Sequence, residues 1–441
     1  MNSAKIATYR PTTLERVVLA TSIWALCLLT FELPGRVAPE ATGTLDPLAL
    51  AKVAVRFGVL IFFTFAWRWN PDQQGRWIAR NMYWPLLAFI AWALLSVLWS
   101  PLRTVSFGQA VGLASLVMLS AWITLACCSD FDAAYVVKHV WAALLMWCLA
   151  VLIVNAFHPD LSGLDRFEQV RGANGMVKPT AAGATAGLGF VLTLIAPKLI
   201  RTFRLGWALL PALAVFATLL FLSKSRTALA MTAGVTLFAL PRFFESRVHA
   251  KIMMIASAAI CIYLLSDPGF RLLEDSLESV SEYVSREQTN SQLIKISGRS
   301  EMWAAVWDQF KLSPWIGHGY FVTSETGKLN VWDGPANHTA HNVVLQVLVS
   351  TGLVGAAILA IAVLHIGARI YRLRSGDATA QRAFLLAALV GLWYFGWSQT
   401  CISFLGPIRP ESVVFFALLG LSLGQAARYE LRRQQTLGVA G

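Results

Sequence analysis

The chain has 441 residues, of which 56% are apolar and only 14% charged, with a net charge of +12 and a mean hydropathy of +0.59. Soluble globular domains carry about 25% charged residues, so a soluble fold, a disordered chain and a disulfide-rich secreted scaffold are all excluded. The basic residues cluster at the ends of apolar runs instead of forming one stripe, which points to membrane topology and away from nucleic acid.

In chain order, twelve apolar segments can be drawn: 14–33, 48–67, 82–99, 107–127, 135–157, 179–197, 205–222, 227–241, 252–266, 341–365, 383–403 and 411–427. At a rise of about 1.5 Å per residue, most reach or approach the roughly 30 Å hydrocarbon thickness of a bilayer. The weakest is 227–241, which is short and interrupted at Gly234. Trp67, Trp69, Trp84 and Trp99 sit at segment ends, as an interfacial aromatic belt requires. The six cysteines, Cys27, Cys127, Cys128, Cys148, Cys261 and Cys401, lie in or beside apolar runs and show no zinc-ligand spacing. The expected fold class is an all-α polytopic membrane protein of about twelve transmembrane helices with one large loop. Residues 1–266 would hold helices one to nine, 267–340 the loop, and 341–441 helices ten to twelve with a cytoplasmic C-terminus.

Lys and Arg set the orientation. Arg68, Arg76 and Arg80; Lys198, Arg201 and Arg204; Arg242, Arg247 and Lys251; and Arg369, Arg372, Arg374 and Arg382 fall in alternate connections, with Lys5, Arg10 and Arg16 before the first segment and Arg428, Arg432 and Arg433 after the last. The other short connections are poorer, with Arg36, Arg103 and Arg409 largely alone. Both termini are therefore expected in the cytoplasm and the 267–340 loop on the far side, the periplasm of a Gram-negative cell. Within that loop, Leu273, Leu277, Val280 and Val284 recur at helical spacing, and Trp303, Val306, Trp307 and Phe310 form a second stripe. These predict two amphipathic helices against the membrane face. Pro314 and Gly317-His318-Gly319 stop the second, and an irregular stretch leads to the tenth transmembrane helix.

Several residues stand out chemically. Arg226 lies in the tight connection Ser223-Lys224-Ser225-Arg226-Thr227, where its planar donor fork suits phosphate oxygens; a snorkelling interfacial arginine is the bland alternative. Arg299 opens the second loop helix, where free amides already favour anions, or it simply pairs with Glu301. His341 precedes the tenth helix at the membrane face, where an imidazole suits proton abstraction; His338 is its competitor, and either could be structural. His318, His338 and His341 match no closed metal site, and no Walker or paired-Asp sugar-nucleotide motif is present, so neither a metal nor a cofactor is expected. Lys52 and Arg56 lie near the periplasmic end of the second helix, where snorkelling accounts for them.

Together these residues resemble the O-antigen ligase family within the wider O-antigen ligase and polymerase superfamily. His341-Asn342, nine residues, then Gly352-Leu353-Val354-Gly355 is similar to the family's His-[Asn/Ser/Gln]-x9-Gly-x-x-Gly pattern. Ser225-Arg226 before a small-residue helix, and Gly298-Arg299 leading through Trp303 to Gly317-x-Gly319, resemble further family signatures. The motifs span residues 223–355, and the layout of helices around one large loop also agrees. The resemblance implies transfer of an O-antigen glycan from undecaprenyl pyrophosphate to lipid A–core oligosaccharide at the periplasmic face of the bacterial inner membrane, with inversion and without metal. It implies catalytic roles for His341, Arg226 and Arg299, with Arg171, Lys178 and His338 as substrate-binding candidates.

Three alternatives stay open. An O-antigen polymerase would use the same donor with a second lipid-linked glycan as acceptor. A protein O-oligosaccharyltransferase is related but usually carries a longer C-terminal periplasmic extension. A membrane transporter would instead place ionisable residues near the bilayer midplane and break paired helices with Gly or Pro in two halves.

Overall fold

The computed structural model describes residues 11–32, 47–70, 72–128, 133–164, 175–200, 202–243, 299–331, 334–336, 339–401 and 406–436. The expected ninth segment, the first amphipathic loop helix, Arg171 and His338 lie outside the described residues.

Among those residues the fold is a bundle of α-helices with one small hairpin. Apart from the single turn Pro159–Ser162, the α-helices are α1 (Thr13–Leu28), α2 (Pro47–Arg68), α3 (Gln73–Leu95), α4 (Arg103–Cys128), α5 (Ala133–Phe157), α6 (Pro179–Leu199), α7 (Leu209–Leu222), α8 (Arg226–Phe243), α9 (Arg299–Leu312), α10 (Val343–Arg372), α11 (Ala378–Ser398) and α12 (Pro410–Thr436). Eight stretches, in α2 to α6 and α10 to α12, are long and apolar enough to cross a bilayer. The protein is a multi-pass helical membrane protein. Helices α1, α7 and α8 match three more expected segments but are not among those eight.

Helices α10 and α12 run on to Arg372 and Thr436, past the expected 365 and 427, and two further details differ from expectation. Helix α3 starts at Gln73 and not near residue 82, because the Asp72 carboxylate accepts from Gly75 N at 2.8 Å and caps a polar first turn. The stretch before α10 is not wholly irregular, since Leu329–Val331 pairs antiparallel with Gly334–Ala336.

Helix α4 is the axis of the bundle. Its residues from Ala110 to Cys128 are buried, and it packs along α12 and against α2 and α3. A second layer forms around α6, which lies against α5, α7, α8 and α11. Close approach in this layer depends on small residues, as in other membrane helices. At Gly183 of α6 a Cβ would run into Ser223 and Ser225, so the connection leading into Arg226 seats directly on the helix.

Helix α9 belongs to a separate small core of Met302, Val306, Phe310, Leu329, Val331, Ala340 and Val349. The buried stripe is thus Met302, Val306 and Phe310, with Trp303 partly buried, while Trp307 is 44% exposed. The expected stripe was rotated by part of a turn because it followed the tryptophans and not Met302.

Candidate active site

The glycines after His341 break a helix. Within α10, Gly352 has φ 65° and ψ −172°, a left-handed backbone that only glycine adopts without strain. A Cβ there would also collide with the carbonyl of Trp315. The segment after α9 is laid into this break. His318 N donates to Val349 O at 2.9 Å and Gly319 N to Ser350 O at 3.0 Å, while Leu353 N donates to Pro314 O at 2.8 Å. The freed ends of the broken helix are therefore satisfied by the loop and not left unpaired.

The first half of α10 is fixed at its start as firmly as at its break. Asn342 is the N-cap, its Oδ1 accepting from Val344 N at 2.9 Å and Leu345 N at 3.1 Å. Its Nδ2 donates to Gln399 O at 3.1 Å, at the end of α11. The Gln346 side chain accepts from Ala340 N at 2.7 Å and donates to Ser350 Oγ at 2.8 Å. Trp303 Nε1 donates to Ala340 O at 3.0 Å and so ties α9, which begins at Arg299, to the residue before His341. His341 itself has φ 47°, in a tight bend between these anchors.

The segment following α11 joins the other predicted residues. Thr400 Oγ1 bonds Thr227 Oγ1 at 3.0 Å, one residue beyond Arg226. Cys401, next to Thr400, lines the same cavity as His341. Residues Gln399 to Cys401 thus touch the starts of α8 and α10 together.

That cavity has a volume of about 350 Å³. Lys178, Thr180 and Ala181 at the start of α6, Arg409 and Pro410 at the start of α12, and His341 before α10 all line it. Three long helices therefore direct their N-termini, the positive ends of their dipoles, toward one space. Two of them have a cation directly before a proline at the first helical position, Lys178-Pro179 and Arg409-Pro410. Lys52 and Arg56 of α2 line another wall, and Glu32 is the one carboxylate in the described lining. Ala25, Leu26 and Leu29 of α1 supply an apolar side.

The electrostatics follow from this arrangement. Burial, then the positive charges of Arg299, Arg409 and Lys178, push the His341 imidazole down to about 4. It is therefore neutral at physiological pH and able to accept a proton. Chemically, the cavity offers anion-binding cations and helix termini around a neutral base.

Residues 211–360 match the family model described as O-antigen ligase. The match is consistent with a member of the O-antigen ligase and polymerase superfamily. This is the family expected from the motifs, and the match runs from α7 through the break in α10, so Arg226, Arg299 and His341 all fall inside it. The match supports a function of the ligase or polymerase type, and the enzymes of that family are glycosyltransferase-like and act on lipid-linked saccharides. No curated protein matches the chain.

Of the residues singled out in the sequence, His341 and Lys178 share the cavity, and Arg299 is near enough to lower the His341 pKa. Arg226 stands one residue from the Thr227–Thr400 contact. His318 is not part of the group: it is buried, and its Nε2 meets Gln309 O at 2.8 Å. Sequence reading missed Arg409, and it set aside Lys52 and Arg56 as snorkelling residues. The one signal available for Arg409 was its match to Lys178, a cation directly ahead of a helix-opening proline.

Proposed function

We propose that this protein is an O-antigen ligase. It transfers an O-antigen glycan from undecaprenyl pyrophosphate to a sugar hydroxyl of lipid A–core oligosaccharide, with the cavity facing the periplasm from the inner membrane. The observation that carries this reading is the position of His341: it sits in one cavity with Lys178 and Arg409, where three helix N-termini converge. A diphosphate ester suits such a cradle, because its departing oxygens gather charge that fixed cations and helix ends stabilise.

The acceptor hydroxyl attacks the anomeric carbon from the side opposite the diphosphate. Its proton passes to the neutral imidazole of His341, the new C–O bond forms, and the old anomeric C–O bond breaks. The electron pair leaves with the diphosphate, which Arg226, Arg299, Lys178 and Arg409 stabilise, and the anomeric configuration inverts. Bound diphosphate also offsets the cations that depress His341, so the imidazole gains basicity when the donor is in place. Arg171 and His338 complete the proposed substrate contacts from outside the described residues.

The test is transfer by purified protein from lipid-linked glycan to lipid A–core without ATP or added metal. Product from the wild type, lost in His341→Ala, Arg226→Ala and Arg299→Ala, is the expected result. Extension of a second lipid-linked glycan in place of lipid A–core would make the protein a polymerase. No transfer to either acceptor would overturn the reading.

A further inference from the structure

Arg56 is the tenth residue of α2, about 14 Å along it at 1.5 Å per residue, inside the stretch apolar enough to span a bilayer. It does not reach outward as a snorkelling side chain would. It is partly buried and lines the cavity. Its Nη1 lies 3.7 Å from the point where Gly112 of α4 would carry a Cβ, in ordinary contact distance of the central helix. Ile408, the residue before Arg409, packs over the same glycine. Lys52 stands one turn earlier on the same helix face, lines the same cavity, and donates from Nζ to Phe31 O at 2.9 Å. Among the described residues Arg56 makes no hydrogen bond or ion pair. The cavity's one described carboxylate, Glu32, is exposed. An ionised guanidinium inside a membrane span needs an anion or an aqueous path, and such residues mark ligand sites.

We propose that Lys52 and Arg56 form a second anion subsite, deeper along α2 than Lys178 and Arg409. It takes the lipid-proximal phosphate of a polyprenyl diphosphate while the glycan-proximal phosphate lies toward His341. The apolar wall of Ala25, Leu26 and Leu29 adjoins it, on the side where the lipid chain leaves. Two phosphate positions in one cavity let the protein tell a diphosphate from a monophosphate, a discrimination a single cluster of cations supplies less well. This inference rests on the donor reading above and adds Arg56 as the residue that reads the second phosphate.

The test is a thermal-shift titration of the purified full-length protein in detergent, with undecaprenyl diphosphate, undecaprenyl monophosphate and phosphatidylglycerol as probes. The wild type should bind the diphosphate about tenfold or more tightly than the monophosphate, the scale of one charge-assisted contact. Arg56→Gln should weaken binding of both polyprenyl phosphates by about that factor, because each carries a lipid-proximal phosphate. Arg56→Lys keeps the charge but not the planar fork, and should show an intermediate loss of affinity even if the glutamine variant does not fold. Unchanged affinity of both variants for both polyprenyl phosphates would overturn the subsite and leave the donor reading intact. Failure of the wild type to bind either polyprenyl phosphate would instead overturn the donor reading. Arg56-dependent binding of phosphatidylglycerol, with no preference for the diphosphate, would reassign the subsite to a headgroup and overturn it as a donor contact.

Discussion

The Trp303 indole donates to the Ala340 carbonyl at 3.0 Å, so the helix that begins at Arg299 holds the residue immediately before His341. A guanidinium and an imidazole 42 positions apart in the chain are thereby set in one frame. Trp303→Phe keeps most of the packing and removes the bond, at a cost of about 1 kcal/mol. Turnover with the lipid-linked donor should fall roughly tenfold with little change in KM, because the loss is one of alignment. Trp307→Phe, at an exposed position on the same helix, should leave turnover unchanged.

The depressed His341 pKa predicts a shape for the pH profile. Burial, with the nearby cations, holds the imidazole at about 4 in the free protein, so the acid limb of kcat/KM, which reports the free enzyme, should fall near that value. Donor phosphates counter the same cations, so the acid limb of kcat should lie at higher pH. Arg409→Gln removes a positive charge, which favours the imidazolium and raises its pKa. Its kcat/KM limb should therefore move upward in pH, toward the ordinary histidine value of about 6.5. A limb that stays in place or moves downward would contradict the arrangement.

Gly352→Ala should be among the most damaging single-methyl changes in the chain. It forces a left-handed backbone on an L-residue and drives the new carbon into the Trp315 carbonyl. A loss on the order of 1–3 kcal/mol from backbone strain alone, with the collision in addition, should appear as a lower unfolding temperature. Gly367 lies in the same helix with nothing near its would-be Cβ. Gly367→Ala should leave the unfolding temperature unchanged or slightly higher.

Asn342 has two tasks that substitution can separate. Asn342→Ser keeps a capping oxygen but lacks the donor to Gln399. It should retain helix stability within a few tenths of a kcal/mol while losing turnover. Asn342→Ala loses both, and thermal unfolding should show about 1 kcal/mol of further destabilisation.

The helices were legible in the sequence because an apolar stretch in a membrane has few alternatives to helix. His341-Asn342 and the two glycines were legible as a spacing, although the spacing alone did not reveal that Asn342 caps the helix or that Gly352 interrupts it. Gly317-His318-Gly319 was legible as a helix stop but not as the strand of chain laid into that break. Arg56 and Arg409 were not legible, because each alone resembles an interfacial cation. Only the packing of α2 and α12 against α4, with α6 beside α12, brings their walls to one space. Part of the stripe on α9 was misread because tryptophan's bulk weighs heavily in a hydrophobic pattern even where one edge of it meets solvent.

The break at Gly352 gives the nine residues behind it the character of a gauge block. Nine residues make about two and a half helical turns, clamped at one end by the Asn342–Gln399 bond and at the other by the backbone of the inserted segment. Adding or deleting one residue would swing the imidazole by about 100° around the axis relative to its clamp. The side chain of exposed Val344 can change within that interval, whereas its length cannot.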